Sequence, residues 1–159
     1  RVISGERPAA PKAQPMSMIE TNIDDMNPEF YEHVMETLFQ CGAVDVFFTP
    51  VFMKKNRPGT LLSVLVPREN VDVAARILLT ETSTFGVRHH EVGRTVLDRT
   101  EATIKTSHGK VRVKIGSLNG SVLRIAPEYE DCKKIASRKK IPVKEIYDEV
   151  LRLAEKCRD

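Results

Sequence analysis

From Met18 to Met26 the chain alternates, with Ile19, Thr21 and Ile23 on one side and Met18, Glu20, Asn22 and Asp24 on the other. That period of two predicts a β-strand. Asn27-Pro28-Glu29 follows as an N-cap, a proline at the first helical position and an acid in the first turn. Phe30, Val34, Leu38 and Cys41 then recur at helical spacing, and Gly42 supplies a stop. Val44–Lys54 and Thr60–Val66 read as two strands, joined by a turn in which the pair Pro58-Gly59 reverses the chain. Glu69–Thr82 carries Val71, Ala74, Ala75 and Leu78 on one helical face, and Gly86–Leu97 closes the unit as a strand.

The order β-α-β-β-α-β is the ferredoxin-like, split βαβ pattern. It implies an antiparallel sheet with helices on one face. The open face must bind a ligand, pair with another subunit, or stay polar. After Arg99 the texture changes. Glu101–Thr106 and Lys110–Ile115 form a hairpin around His108-Gly109, and Val122–Ala126 is a further short strand. Pro127-Glu128-Tyr129-Glu130-Asp131 opens a helix running to about Lys140, and Pro142 starts another with Ile146, Val150, Leu153 and Cys157 along one stripe. The fold class is therefore α+β. Residues 1–15 form a Pro/Ala-rich linker, 16–98 a ferredoxin-like subdomain, and 99–159 a small α+β subdomain of hairpin, short strand and two helices. That linker, opening on Arg1, carries the expectation of a longer protein with an N-terminal domain upstream.

Composition narrows the class without naming a function. The 159 residues include 41% apolar ones, no Trp, six Phe and three Tyr, which predicts an aliphatic core. No apolar run approaches the roughly 20 residues of a membrane helix, and no export signal stands at the start. Cys41, Cys132 and Cys157 are scattered and odd in number, which suits a reducing cytoplasm. A net charge of +3 permits an anionic ligand and demands none.

Two constellations carry chemistry. Lys54, Lys55 and Arg57 crowd fixed cations into a hairpin tip beside Pro58, Gly59 and Thr60. Cations and outward-pointing amides together make a cradle for a polyanion, although a solvated charge run has the same composition. No G-x-x-x-x-G-K-[ST] stretch is present, so any phosphate site is not a P-loop. The second constellation is Glu20-Thr21-Asn22-Ile23-Asp24-Asp25. On a strand, Glu20, Asn22 and Asp24 share a face at a spacing of about 6.5–7 Å. Such oxygens suit Mg²⁺ or Mn²⁺, whereas capping of the next helix is the structural alternative for Asp24 and Asp25. Arg88 is a weaker phosphate candidate. Glu128, Tyr129, Glu130 and Asp131 are weaker base or metal contacts, set against the ordinary preference for acids at a helix start. His89 and His90 point to opposite faces of their strand and so do not chelate one metal together. No catalytic residue is singled out.

Five motifs, Ile19–Met26, Cys41–Phe47, Met53–Thr60, Glu81–Arg88 and Pro127–Cys132, resemble in this order one family. Together they are similar to the C-terminal domain of LarC-type nickel insertion proteins over essentially Met18–Cys157. Asn56 departs from the pattern, which leads one to expect Gly there. The resemblance implies a CTP-dependent cyclometallase that inserts Ni²⁺ into pyridinium-3,5-bisthiocarboxylic acid mononucleotide, forming Ni–S and Ni–C bonds of the lactate racemase cofactor. CTP is hydrolysed to CMP and pyrophosphate with Mg²⁺ or Mn²⁺. The resemblance does not assign atoms to residues; from the two constellations, Lys54, Lys55 and Arg57, with the Gly59 and Thr60 amides, are expected to meet the triphosphate, and Asp24 and Asp25, with Glu20, to hold the divalent cation directly or through water. The expected partners are CTP, the pyridinium mononucleotide, an N-terminal domain and further copies of the chain, with no membrane and no nucleic acid. Two other classes stay open. A regulatory ligand-binding module would bind without hydrolysis, and a nucleic-acid-binding protein using the basic residues after Cys132 would bind with steep salt dependence.

Overall fold

The computed structural model describes residues 13–155, with the backbone alone at residues 13 and 14. The contacts divide it into two compact units, Ala13–Thr95 and the residues from Val96 onward. In the first, β1 (Ala13–Ile23), α1 (Phe30–Gln40), β2 (Asp45–Met53), β3 (Arg57–Pro67), α2 (Val71–Glu81) and β4 (Arg88–Thr95) follow in order. The four strands make an antiparallel sheet in the order β2-β3-β1-β4. This is the ferredoxin-like arrangement, and it is the layout expected from the alternation.

The register explains the core. Ile19 faces Val64, Thr21 faces Leu62 and Val46 faces Val64, so one sheet face presents an unbroken aliphatic surface. Val34 and Leu38 of α1 and Ala74 and Leu78 of α2 close over it, all fully buried. Each such Leu or Val withdrawn from water stabilises the fold by about 1.5–3 kcal/mol.

Several boundaries move for identifiable reasons. β1 starts at Ala13, so Pro15 belongs to a strand rather than a linker. At Pro15 the strand has a neighbour on one side only, Gly93 of β4, since pairing with β3 begins at Met16. Its missing N–H costs nothing on the unpaired side. Residues 1–12 of the expected linker, and Cys157 of the expected helical stripe, lie outside the described residues. α1 starts later than expected: Asn27 Oδ1 accepts from the Glu29 N–H at 3.1 Å and forms its own turn before the helix. Phe30, placed by spacing on the apolar face, is 53% exposed. Tyr31 takes the inner position and packs edge-on against Phe48, with ring centroids 5.0 Å apart. In α2, Val71 and Ala75 are only half-buried.

The reversal between β2 and β3 is the larger correction. Pro58 and Gly59 sit inside β3, opposite Phe52 and Val51, and do not make the turn. Lys54–Asn56 makes it, with Lys55 at φ 61° and Asn56 at φ 57°. Asn tolerates this left-handed region, as Gly does, so the departure at Asn56 is sterically conservative.

The second unit holds β5 (Asp98–Lys105), β6 (Lys110–Leu118) and β7 (Ser121–Pro127) in one antiparallel meander, then α3 (Tyr129–Lys139) and α4 (Val143–Glu155). The Asn119-Gly120 turn, with both residues at positive φ, links β6 to β7. It is the type of two-residue hairpin loop that matches strand twist. Buried Thr106 organises the other hairpin: its Oγ1 accepts from the His108 and Gly109 amides at 3.1 and 3.0 Å. Val111, Val113, Cys132, Ile135, Ile146 and Val150 form the core. Burial pushes the Cys132 thiol up, leaving it an inert packing group.

Arg112 fastens α3 to the sheet. Its Nε and Nη2 donate to the two Asp131 oxygens at 2.9 and 3.0 Å, and its backbone N–H donates to Oδ2 at 3.1 Å. These bonds hold the Asp131 carboxyl down to about 2, against about 3.9 in an unfolded chain. A depressed carboxyl contributes stability above its unfolded pKa and loses it as pH falls through the folded one. The stability gap between wild type and Asp131→Asn should therefore be flat above about pH 5 and close between about pH 4 and 2. Urea denaturation of both proteins across that range checks this.

Candidate functional site

The site grows from the end of β1. β1 is an inner strand, and in the outward row Glu20 has a neighbour on both sides, Asn22 faces Leu61 of β3, and Asp24 stands just past the strand's end. Glu20 lies opposite Arg88 of β4 and Ser63 of β3. Arg88 Nε donates to Glu20 Oε2 at 3.1 Å and its Nη1 to Asn22 Oδ1 at 2.6 Å, while Ser63 Oγ donates to Glu20 Oε1 at 3.4 Å. Arg88 is thus engaged along the acidic row.

One step further, Arg57 Nη1 donates to Asp24 Oδ2 at 3.2 Å. The cationic turn and the acidic strand, distant in sequence, meet at this contact. Gly59 makes the approach possible, since a Cβ there would lie 2.8 Å from the Ile23 carbonyl oxygen and 2.7 Å from Met53 Sδ. Thr60 sits between Ile23 and Pro50, within the ladder, so the backbone of the turn proper belongs to Lys54–Asn56.

Asp25 ties in a third segment, the loop from α2 to β4. Ser83 Oγ donates to Asp25 Oδ1 at 2.5 Å. The Thr21 and Thr84 hydroxyls lie 2.6 Å apart, and both stand within hydrogen-bond reach of the Gly86 carbonyl, so one donates to the other and the second to the carbonyl. Thr82 Oγ1 donates back to the Leu78 carbonyl at 2.6 Å. The loop is knit to β1, yet Phe85 at its tip is 102% exposed, and Phe52 beside the cationic turn is 80% exposed. Ser83, Phe52 and Phe85 were missed in the sequence; the signal for the loop was a lone aromatic between Thr-Ser-Thr and Gly.

Charge bookkeeping sorts the candidates. Arg57 and Arg88 each face a carboxylate. Lys54 and Lys55 are exposed and stand in no ion pair among the described residues. They are the cations free for an anion. No cluster of three or more His, Cys, Asp or Glu suited to a metal occurs among the described residues. A hard cation at Asp24 and Asp25 would therefore take few protein oxygens and draw the remainder from water and phosphate, a donor set that fits Mg²⁺ or Mn²⁺ bound with a nucleotide.

The acids of the second unit have structural partners. Asp131 is held by Arg112, Glu128 by Lys114, and Glu130 lies 3.9 Å from Lys133. Tyr129 is 54% exposed.

Residues 1–147 match the family model described as nickel insertion protein. The chain belongs to that family. It is 52% identical over 133 residues to the pyridinium-3,5-bisthiocarboxylic acid mononucleotide nickel insertion protein of Acetivibrio thermocellus, covering 84% of this chain and 32% of that protein. The Clostridium kluyveri protein of the same name is 45% identical over 152 residues, covering 96% and 38%. The chain thus spans about a third of the length of these nickel insertion relatives. Among solved structures it is similar to LarC2, the C-terminal domain of a cyclometallase involved in synthesis of the NPN cofactor of lactate racemase. The two share 38% identity at a TM-score of 0.86, covering 91% of this chain and 99% of LarC2. A Methanopyrus kandleri protein at 24% identity and TM-score 0.66 shares the fold alone. The family resemblance carried by the sequence motifs is borne out. No helix among the described residues is long and apolar enough to cross a membrane.

The close approach at Gly59 gives a direct test. Gly59→Ala should destabilise the protein by about 1–3 kcal/mol, because the Ile23 carbonyl oxygen it would strike is backbone held by the β1–β3 ladder, whereas the Met53 side chain can turn aside. Thermal unfolding followed by circular dichroism measures it, with Ser63→Ala, at a hydrogen bond of 3.4 Å, as a mild comparison in the same strand.

Proposed function

We propose that this chain is the metal–CTP-binding C-terminal part of a nickel insertion enzyme. In this reading the whole enzyme inserts Ni²⁺, its substrate metal, into pyridinium-3,5-bisthiocarboxylic acid mononucleotide, hydrolyses CTP to CMP and pyrophosphate, and so matures the lactate racemase cofactor. The observation that supports it best is the Arg57–Asp24 contact at 3.2 Å, which ties the turn carrying Lys54 and Lys55 to the segment carrying Asp24 and Asp25. A triphosphate needs cations for its oxygens and a divalent ion between them, and both donor types stand within one cluster of side chains.

Lys54 and Lys55 would neutralise the triphosphate, their ammonium groups having no competing carboxylate among the described residues. Arg57 would divide its donors between Asp24 and phosphate, its Nη1 already turned toward the carboxylate. Asp24 and Asp25 would hold Mg²⁺ or Mn²⁺, which when bound supplies positive charge for pyrophosphate departure. Glu20 and Arg88 would serve as the fixed neighbouring pair that positions the row. Phe52 and Phe85 offer π-faces for a base. A polynucleotide backbone fits poorly, because Asp24 and Asp25 beside the cationic turn would repel it. The exposed aromatics favour a homo-oligomer, and turnover is expected only with the remainder of the longer protein.

Calorimetric titration with CTP, ATP and GTP, with and without Mn²⁺, tests the reading. CTP should bind only with the metal and more tightly than the purine nucleotides. Lys55→Ala should weaken it by about tenfold or more, the loss of one charge-assisted hydrogen bond. Equal affinity for the three nucleotides, or binding indifferent to Mn²⁺, would sink it.

A further inference from the structure

The second unit carries a cleft that the nucleotide site does not use. It has a volume of about 520 Å³ and is lined by Pro127, Tyr129, Val143, Lys144, Tyr147 and Asp148. That size lies within the range of small-molecule sites. Pro127 is buried and forms the floor, Val143 and Tyr147 pack on the core, and Tyr129 stands 54% exposed at the mouth. Neither tyrosine hydroxyl bonds to a protein group among the described residues, and the tyrosine ring found in an aromatic pair there is Tyr31, in the other unit. Two phenol rings thus reach this cleft with neither a ring partner nor a hydrogen-bond partner.

The charges at the rim come as one pair. Lys144 Nζ lies 2.5 Å from Asp148 Oδ2, across one turn of α4. The cleft therefore offers an apolar floor, two electron-rich faces, one carboxylate and one ammonium. This set suits a flat ring that is itself zwitterionic. A cationic aromatic ring is attracted to a phenol face and to Asp148, and an acid substituent on that ring reaches Lys144. A neutral aliphatic ligand would leave the charges unused, and a purely anionic one would meet Asp148.

We propose that this cleft is a subsite for the pyridinium ring of a mononucleotide, with Tyr129 and Tyr147 against the ring and Lys144 toward its acid substituents. The choice of pyridinium rests on the reading of the chain as part of a nickel insertion enzyme; the ring-binding chemistry rests on the cleft. Nothing else on the chain described so far assigns these residues a task, and Tyr129 is thereby separated from its acidic neighbours Glu128, Glu130 and Asp131, which serve the fold.

Nicotinate mononucleotide is a suitable probe, since it couples a pyridinium ring to a single carboxylate and a ribose phosphate. Saturation-transfer NMR on its ring protons should show saturable binding to the chain. Tyr147→Leu and Tyr129→Leu should each weaken binding about tenfold, whereas Tyr147→Phe, which keeps the π-face, should stay within about twofold. Circular dichroism of each variant confirms that it is folded. Ribose 5-phosphate binding as tightly as nicotinate mononucleotide would overturn the proposal, as would Leu variants that bind like wild type. A cleft closed by a second copy would also overturn it; wild type would then fail to bind the probe, and Tyr147→Leu would elute at lower mass. CTP titrations on the same samples separate the two readings. A chain that binds CTP with Mn²⁺ but not nicotinate mononucleotide loses this inference alone. One that binds the pyridinium probe in the Tyr-dependent manner but not CTP keeps it and loses the nucleotide reading.

Discussion

A row of acids on the face of an inner strand must be met by cations on the strands beside it. Glu20 and Asp24 impose that constraint here, and much of the first unit answers to it. Glu20 lies within β1 and Asp24 just past its end, and both carboxylates are largely covered, at 23% and 17% side-chain exposure, so each needs a cation close by. β4 supplies Arg88 directly opposite Glu20, and β3 supplies Arg57 against Asp24. The β2–β3 turn must then fall close enough for Arg57 to reach β1. This explains why a short three-residue reversal, with two residues in the left-handed region, is used in place of a looser loop. A residue in that region costs of order 1 kcal/mol when it is not Gly. Lys55 bears that cost, and its ammonium stands at the tip in no ion pair among the described residues.

The same compensation explains which candidates remain available. Cations that neutralise the acidic row are committed to it, so their charge is no longer free for a ligand in full. Lys54 and Lys55 lie beyond the last acid and face water. In the second unit the logic runs in reverse. Asp131 receives two guanidinium bonds and a backbone bond from Arg112 and becomes part of the scaffold. Acids at the start of α3 thus resemble acids at the end of β1 in sequence and differ in what stands opposite them.

Much of the fold was legible because each element carried its own period. Ile19, Thr21 and Ile23 announced the inner face of β1, and Val34 and Leu38 the buried stripe of α1. What was illegible depended on pairing across the sheet. Pro58-Gly59 has the composition of a turn, yet its register opposite Phe52 and Val51 makes it strand. Gly59 is required by its closeness to the Ile23 carbonyl, a contact between residues far apart in sequence. The membership of Arg57 and Arg88 in ion pairs was hidden for the same reason. Asn119-Gly120, by contrast, is a local turn signal that could have been read. Exposure of Phe85 was signalled only by its place between Thr-Ser-Thr and Gly, and that of Phe52 not at all, since an isolated Phe is more often a core residue than a surface one.

The Arg57–Asp24 contact also bears on how a metal and a nucleotide would bind together. While Arg57 donates to Asp24 Oδ2, that oxygen already has a positive partner, and a divalent ion gains less from it. A triphosphate that draws Arg57 toward its own oxygens would leave Asp24 under-compensated and strengthen its hold on the ion. The ion in turn would offset the repulsion between the triphosphate and Asp24 with Asp25. Each ligand would therefore raise the affinity of the other by the same factor, as reciprocal linkage requires. On the proposed reading, metal dependence of nucleotide binding would originate in one guanidinium with two alternative anionic partners, rather than in a preformed cage of protein carboxylates.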